Sequence, residues 1–259
     1  MPLLYLRRLT GKHRSTKANR HLALFLAFIA GATNAGGFLA VQQYTSHMSG
    51  IVSAMADNLA LGEVGLLLTG LSSLLSFLLG AACTAILVNW GRRRALHSEY
   101  ALPLLVEAAL LLLFGLLGGH LSTRHYLFVP ATVTLLCLTM GLQNAIITKI
   151  SKAEIRTTHI TGMVTDVGIE LGKLLYRSQN SDTPDEHTVH ADTKKLGILL
   201  SLIGLFFLGG LIGAIGFKHL GFISALPLAA TLMVLAALPV WDDLRHRKTA
   251  HPPSLSHPS

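Results

Sequence analysis

Two histidines lie in nearly the same polar phrase at two places in the chain. The first phrase, T-S-H-M-S-G, covers residues 45–50, and the second, T-T-H-I-T-G, covers residues 157–162. Histidine titrates near neutral pH, and the hydroxyl groups beside it donate and accept hydrogen bonds. These residue types predict a site that binds a small polar solute or carries a proton, although each histidine can instead serve only to hydrogen-bond a neighbouring helix.

The candidate solute-binding residues are the polar and glycine positions of the two phrases, together with an asparagine that precedes each phrase. An asparagine inside an apolar helix can hydrogen-bond freed backbone or an adjacent helix. The first hydroxyls of each phrase can alternatively cap a helix N-terminus, and the glycines can serve only for close helix packing. The complete set is Asn34, Thr45, Ser46, His47, Ser49, Gly50, Asn144, Thr157, Thr158, His159, Thr161 and Gly162.

Four ionisable residues are candidates for proton coupling: His47, His159, Glu107 and Asp166. Glu107 lies within L-L-V-E-A-A-L-L-L-L, and a carboxylate inside a membrane span is costly and is a functional hypothesis by default. Its place near the end of that stretch also allows it to reach the interface. Asp166 shares a helix face with Glu170 and is followed by basic residues, which favours solvated ion pairs instead.

The composition is that of a membrane protein with several spans. Hydrophobic residues make up 51% of the chain and charged residues only 13%, whereas soluble domains carry about 25% charged residues. The net charge of +8 comes from short basic runs beside apolar stretches, which favours membrane topology over nucleic-acid binding. Cys83 and Cys137 lie in apolar runs without metal-ligand spacing. With no catalytic motif either, we expect no enzyme activity, no metal and no cofactor.

Six apolar stretches are long enough to cross a bilayer. Loops rich in lysine and arginine alternate with loops that contain few of these residues. This alternation predicts a protein of the bacterial inner membrane with both termini on the cytoplasmic side. Residues 45–61 and 157–176 are too polar for spans and predict re-entrant or interfacial helices. The predicted spans are 22–42, 64–90, 103–121, 126–148, 196–216 and 219–240, with a basic segment at 1–21, a polar loop at 178–193 and a partly disordered tail at 241–259.

The two halves of the chain resemble each other beyond the histidine phrases. G-A-T-N-A at 31–35 matches G-L-Q-N-A at 141–145, and F-L-L-G-A-A-C-T-A-I at 77–86 matches F-F-L-G-G-L-I-G-A-I at 206–215. Each copy has three spans, an odd number, so the copies must be inverted in the membrane. The predicted fold is therefore an all-α membrane protein with two inverted three-helix repeats, 22–121 and 126–240, an arrangement typical of secondary transporters.

These motifs resemble those of the bacterial YoaK-like family of uncharacterised integral membrane proteins with six spans. The resemblance is carried by G-A-T-N-A-G-G-F, T-S-H-M-S-G, G-L-Q-N-A and R-T-T-H-I-T-G, in that order, and covers about residues 22–240. It implies a six-span membrane protein, related to transport, without a known substrate. The family more often has aspartate where Asn34 stands. This chain departs from the family there, so a role for a carboxylate at that position does not carry over to it.

The predicted function is a transporter or channel for a small polar solute, with an anion as one candidate, and with its site between the repeats. The alternative is a membrane scaffold or accessory subunit in which the polar phrases only join helices. The expected partners are the lipid bilayer and the unidentified solute, with no nucleic acid, and a homo-oligomer stays open. A hydrated cavity bordered by 45–50 and 157–162 would favour transport, and dry packing there would favour the scaffold.

Overall fold

The computed structural model describes residues 15–96, 98–118, 125–150, 158–176 and 190–249. Within these ranges the chain is helical, and we number the α-helices in chain order. They are α1 (Thr16–Val41), α2 (Met48–Ala60), α3 (Val64–Arg93), α4 (Ala101–Gly118), α5 (His125–Ile150), α6 (Ile160–Leu175), α7 (Thr193–Leu220) and α8 (Ala225–Thr249), with a 3-10 turn at Gly221–Ser224 between the last two.

Local chemistry explains several helix ends. The Ser15 hydroxyl oxygen accepts a hydrogen bond from the Ala18 backbone N–H at 3.1 Å and so caps α1. The Asp192 carboxylate accepts from the Lys195 N–H at 2.9 Å and caps α7 in the same way. Gly221 ends α7 with a φ of +66°, a conformation that glycine adopts without steric cost.

Helix α1 packs against α5 and runs antiparallel to it. The Asn19 side-chain amide at the start of α1 donates to the carbonyl of Ile150 at the end of α5. Further along, the Gln143 amide on α5 donates to the carbonyl of Leu26 at 3.1 Å. The first helix of each predicted repeat therefore contacts the other, in opposite directions.

Glycines bring α1 against α7. A Cβ at Gly31 would overlap the carbonyl oxygen of Phe206, and one at Gly209 would overlap the carbonyl oxygen of Phe28. Small residues at such crossings let two backbones touch. Because Gly209 faces Phe28 and Gly213 faces Ala32, residue numbers rise together and the two helices run parallel.

The crossing of α3 with α5 is built in the same way. A Cβ at Gly80 would overlap the carbonyl oxygen of Leu138, and one at Gly141 would overlap that of Phe77. The Thr84 hydroxyl adds a hydrogen bond to the Leu142 carbonyl at 2.9 Å. These two helices also run parallel.

Helices α4 and α8 form a third, antiparallel pair. Gly115 lies against Ala225 at the end of α4, and the backbone N–H and hydroxyl of Ser98, just before α4, both donate to the Asp243 carboxylate. We call the end of the bundle with Ser98, Ile150 and Asp192 the basic end, because Arg92–Arg94, Lys149 and Arg245 lie there. The opposite end, with Val41, Val64, Gly118 and Leu220, is the far end.

Five helical stretches of the described chain are long and apolar enough to cross a membrane, which points to a membrane-embedded protein. They are Thr16–Val41, Val64–Arg93, Ala101–Gly118, Val129–Ile150 and Thr193–Arg245. The last stretch contains α7, the 3-10 turn and α8, and it covers the two final predicted spans. The helices start and end up to several residues from the predicted bounds, and the basic segment before residue 15, most of the 178–193 loop and the end of the tail lie outside the described residues.

Candidate functional site

The first polar phrase folds back along α1 instead of staying at its end. The Ser46 hydroxyl donates a hydrogen bond to the side-chain oxygen of Asn34 at 3.0 Å. Asn34 precedes Val41, the last residue of α1, by seven positions. Ser46 therefore lies about 10 Å back along α1, measured from the end of the helix towards its start. Helix α2 therefore begins inside the bundle, beside the second half of α1. We call residues 42–47, which lead the chain back to this point, the descending segment.

Two features turn the chain at the end of α1. Gln42 has a φ of +55°, a left-handed conformation that is uncommon outside glycine and reverses the chain direction. The rings of Phe38 and Tyr44 then stack with their centroids 4.7 Å apart, which fixes the descending segment against α1. Further along, Ile51 of α2 packs against Val133 and Cys137 of α5 and secures the start of α2 inside the bundle.

His47 and His159 occupy the same local structure in the two phrases. Each is the residue immediately before its helix, with φ and ψ of −95° and 71° for His47 and −88° and 61° for His159. Each imidazole lies over the glycine three residues later, so that a Cβ at Gly50 or Gly162 would press on ring atom Nδ1. The H-x-x-G spacing thus has a structural cause, because the missing Cβ makes room for the ring.

Threonine and serine do not cap these two helices. No described side chain makes a capping hydrogen bond at either start, and Ser46 bonds Asn34 instead. The alternative that Thr45, Ser46 and Thr158 serve as caps is wrong, since the helices begin two or three residues later. As far as the described residues go, the first backbone N–H groups of α2 and α6 therefore remain available as donors, with the positive end of the helix dipole behind them.

A cavity of about 380 Å³ opens beside the start of α2. Its wall is made by the descending segment, one face of α2 and the first turns of α3, with His47 and Gly50 at one side. The lining residues are Gln42, Gln43, Tyr44, His47, Gly50, Ile51, Ala54, Met55, Asn58, Leu66, Thr69 and Gly70. All of them belong to the first predicted repeat, so this cavity is not shared with residues 157–162.

The second phrase lies at the basic end. Thr157 falls outside the described residues, Thr158 is half-buried, and His159 and Thr161 are exposed around the start of α6. Asp166 pairs with Lys195 at 3.3 Å and thereby ties α6 to the first turn of α7. The two phrases are therefore brought to opposite ends of the antiparallel α1–α5 pair, and Ser49, exposed near the start of α2, has its counterpart in Thr161.

Glu170 holds the other side of the junction between α6 and α7. Its buried carboxylate accepts from the Asp192 backbone N–H at 2.8 Å and from the Lys173 ammonium at 3.0 Å. These hydrogen bonds, the Asp192 N–H first, lower the pKa of Glu170. Asp166 and Glu170 thus make ion pairs in this conformation. The Glu170 pair is buried on the carboxylate side, however, and Asp166 pairs with Lys195 of α7, so they are not the solvated pairs within one helix that the sequence favoured.

The lowered pKa of Glu170 predicts that acid loosens α6. An unfolded glutamate has a pKa of about 4.3, so the two hydrogen bonds stabilise the junction above that pH, and the stabilisation is lost as the pH falls through the lower folded-state pKa. We expect amide hydrogen exchange in Ile160–Leu175, corrected for its intrinsic pH dependence, to accelerate below about pH 4. In Glu170→Gln the exchange should be fast already at neutral pH, while Asp57→Asn, on α2, should behave like the wild type.

Buried polar atoms follow the interface between α1 and α5. Leu26, Thr33 and Gly37 share the face of α1 that meets α5, since they recur at helical spacing and both Leu26 and Gly37 contact α5. We call the set of polar residues at this interface the polar line. Its members are Asn19, Thr33, Asn34, Thr45, Thr132, Gln143 and Asn144.

Most residues of the polar line have at least one oxygen atom without a hydrogen-bond partner in the described chain. Within the described part of the chain, six side-chain oxygens of the line are buried without a partner. Thr45 and Gln143 are completely buried, and Thr33 is 1% exposed. An unpaired buried polar atom costs about 1–3 kcal/mol, so this interface is unusual for a packed bundle. The six atoms are Asn19 Oδ1, Thr33 Oγ1, Thr45 Oγ1, Thr132 Oγ1, Gln143 Oε1 and Asn144 Oδ1.

Three members of the polar line inside the predicted spans were missed in the sequence. Thr33 and Gln143 directly precede the two predicted asparagines in the sequence. Their side chains point into the interface, whereas the asparagines lie at its edge. A helical wheel that placed Leu26, Thr33 and Gly37 on one face would have found Thr33. The sequence around Thr132 does not mark it as a candidate. Thr132 lies one helical turn before Leu136, which packs against Gly37 beside Thr45. This neighbourhood depends on how the helices pack, so it could not be predicted locally.

Glu107 lies on α4 and is not a member of the polar line. It is completely buried on α4, and Leu104, Ala108 and Leu111 of the same helix belong to the main hydrophobic core. The sequence alternative in which it reaches the interface does not hold, because none of its surface is exposed.

Long apolar helices packed side by side define the chain as a helical protein of the membrane-embedded class. It belongs to the family described as "Protein of unknown function (DUF1275)", whose profile matches residues 22–238. Neither the comparison with curated proteins nor that with solved structures gives a significant match. The expectation of an uncharacterised family is thus confirmed, and the YoaK-like name stays a resemblance.

Proposed function

We propose that the chain is a transporter or channel for a small polar solute, an anion included, with its path along the α1–α5 interface. The observation that carries this proposal is the polar line, whose buried hydroxyl and amide oxygens lack partners in the described chain. Apolar side chains of similar volume would remove that desolvation cost. Hydrogen-bonding groups kept there are explained if a polar solute or water pairs with them during passage.

The inverted repeat gives this path its symmetry. The glycine contacts of α1 with α7 and those of α5 with α3 involve matching positions of the two copies: Gly31 against Phe206 corresponds to Gly141 against Phe77. The antiparallel hydrogen bonds between α1 and α5 support an axis between these two helices. In proteins with inverted repeats the solute site lies at such an axis, near the middle of the membrane.

Each end of the proposed path has a helix N-terminus of the same construction. At the far end, α2 presents free backbone N–H groups and His47 beside the cavity of about 380 Å³. At the basic end, α6 presents the equivalent groups with His159. Backbone donors at a helix N-terminus favour a carboxylate or another small anion, while the described members of the polar line are uncharged, which suits a small solute with few charges.

The scaffold alternative has one observation in its favour. The described cavity is lined only by residues 42–70 and does not extend to residues 157–162, and the glycine crossings are packed backbone to backbone. In the transport proposal this conformation is an occluded one. In the scaffold proposal it is the permanent state of the bundle.

Solute entry into liposomes distinguishes the two functions. The purified chain is reconstituted and exposed to a hyperosmotic step of urea, glycerol, formate or nitrate, and light scattering follows the volume of the vesicles. We expect at least one of these solutes to restore the volume faster than in empty liposomes. Entry of all four at the rate of empty liposomes would contradict transport of these solute classes and favour the scaffold.

A further inference from the structure

A fully buried carboxyl group lies in α4. Glu107 is 0% exposed, and neither of its oxygens has a hydrogen-bond partner in the residues that the structure describes. Leu104 and Leu111, one turn away on either side, and the adjacent Ala108 are buried as well. In the described chain, no hydrogen bond therefore compensates a negative charge on this carboxyl.

The other candidates for proton coupling are in different surroundings. His47 and His159 are exposed at helix starts, and Asp166 is paired with Lys195. Glu99, two turns before Glu107, is paired with Arg92 at 3.3 Å. Among these ionisable groups, Glu107 alone is both buried and without a charged partner in the described structure.

No described charged group on the neighbouring helices is bonded to Glu107. Helix α4 packs against α3, α5, α8 and the 3-10 turn, and the turn carries no ionisable residue. The described charged side chains of the three helices lie at the basic end, and the two cysteines lie within the spans. The described ionisable side chains on these helices are Cys83, Arg92 and Arg93 on α3, Cys137 and Lys149 on α5, and Asp242, Asp243 and Arg245 on α8.

The energetic consequence is that Glu107 must be a neutral acid here. An isolated carboxylate in a low-dielectric interior is so costly that the group takes up a proton instead. Glu107 lies six residues after Ala101, so it is about 9 Å from the basic end of α4. Water that enters between α4 and α8 from that end would reach it within two helical turns.

We propose that Glu107 is a proton-binding site of the bundle, protonated in this packed conformation and deprotonated when α4 and α8 part enough to admit water. On release, the O–H bond of the carboxyl breaks, the proton passes to a water molecule, and a hydrated carboxylate remains. Any coupling of this proton to solute movement rests on the proposed function. The protonation of Glu107 is independent of the proposed function.

Infrared spectroscopy of the full chain in liposomes tests the proposal without any solute. At neutral pH the wild type should show the C=O band of a protonated carboxylic acid, with a shift on transfer to D₂O, and Glu107→Gln should lose this band completely. Glu99 provides the control, because Glu99→Gln should keep the band. A wild-type band that survives in Glu107→Gln, or no band in the wild type, would overturn the proposal.

Carbodiimide labelling tests access to the same group. A lipid-soluble carbodiimide reacts with protonated carboxyls in apolar surroundings, and we expect it to modify Glu107, as located by peptide mass spectrometry. A water-soluble carbodiimide should modify Glu107 only when the bundle opens. Equal modification by both reagents in the folded protein would show an exposed carboxyl and overturn the proposal. Glu107→Gln, which replaces a neutral acid by a neutral amide of the same shape, should fold like the wild type, and its melting temperature checks this.

Discussion

Gly209→Ala is expected to destabilise the bundle strongly, whereas Gly204→Ala on the same helix should not. A Cβ at Gly209 would overlap the carbonyl oxygen of Phe28 on α1, while a Cβ at Gly204 meets nothing within 4 Å. The obstacle is backbone, which cannot rotate away as a side chain can. Overpacking of this kind costs about 1–3 kcal/mol or more, and alanine at the open position is, if anything, better for the helix.

The second crossing gives a matched pair of variants. Gly80→Ala meets the carbonyl oxygen of Leu138 on α5, and Gly65→Ala, on the same helix α3, meets no neighbour. Because both crossings are made by the same contacts, Gly80→Ala and Gly209→Ala should lower stability to a similar extent. The measurement is the thermal unfolding midpoint in detergent, with the fraction of monodisperse protein as a second readout.

The controls decide what the glycines do. If Gly209→Ala and Gly80→Ala melt at the same temperature as Gly204→Ala and Gly65→Ala, the close crossings are not what holds these helices together. If only one of the two crossing variants is destabilised, the crossings are not equivalent, and the inverted repeat loses its main support.

The sequence was sufficient for the helical class and for the recurrence of the histidine phrases. Apolar stretches are visible as composition, and matching letters show matching segments, so the sequence alone pairs His47 with His159. Their shared conformation follows from that match, because both phrases provide a glycine three residues after the histidine. Local patterns of this kind need no knowledge of which helices are neighbours.

The course of the first phrase could not be read from the sequence. The chain turns at Gln42, a residue without the usual preference for a positive φ, and the turn is fixed by the stacking of Tyr44 on Phe38. The sequence therefore suggested a helix from Thr45, in which the hydroxyls would cap. In the structure Ser46 reaches Asn34, because the phrase is pulled into the bundle before the helix begins.

The crossing glycines show a second limit. Their alignment in the two halves is plain in the sequence, but alignment alone suggests only that helix stability is lowered there. That Gly31 meets Phe206 and that Gly141 meets Phe77 depends on which helices pack together, which is tertiary information. The same holds for the polar line, since Gln143 is significant only because Leu26 lies opposite.

Gln143→Leu is expected to block solute movement while leaving the bundle folded. Gln143 is fully buried at the α1–α5 interface, donates to the carbonyl of Leu26 at 3.1 Å, and leaves its Oε1 without a partner in the described chain. Leucine has a similar volume and removes the unpaired oxygen, so the free energy of unfolding should change little. A passing polar solute would lose a hydrogen-bonding group at a fully buried part of the line.

The expected loss follows from the value of one hydrogen bond in a buried place. An unmade bond costs about 1–3 kcal/mol, and every 1.4 kcal/mol or so is a factor of about ten in rate. The entry rate of whichever solute the wild type admits should therefore fall by a factor of about five to one hundred in Gln143→Leu. Light scattering of proteoliposomes gives the rate, and the unfolding midpoint of the same preparation shows whether the fold is kept.

Thr139→Val is the matched control, because Thr139 is also buried on α5 but donates its hydroxyl to Leu135 of its own helix at 2.8 Å. Its polar group is already satisfied, so a solute has nothing to gain from it, and Thr139→Val should transport at the wild-type rate. Equal rates in Gln143→Leu and in the wild type would show that the path lies elsewhere. A folded Gln143→Leu chain with a large loss, next to an active Thr139→Val chain, would tie transport to the interface where both predicted repeats meet and where buried oxygens of the described chain lack a partner.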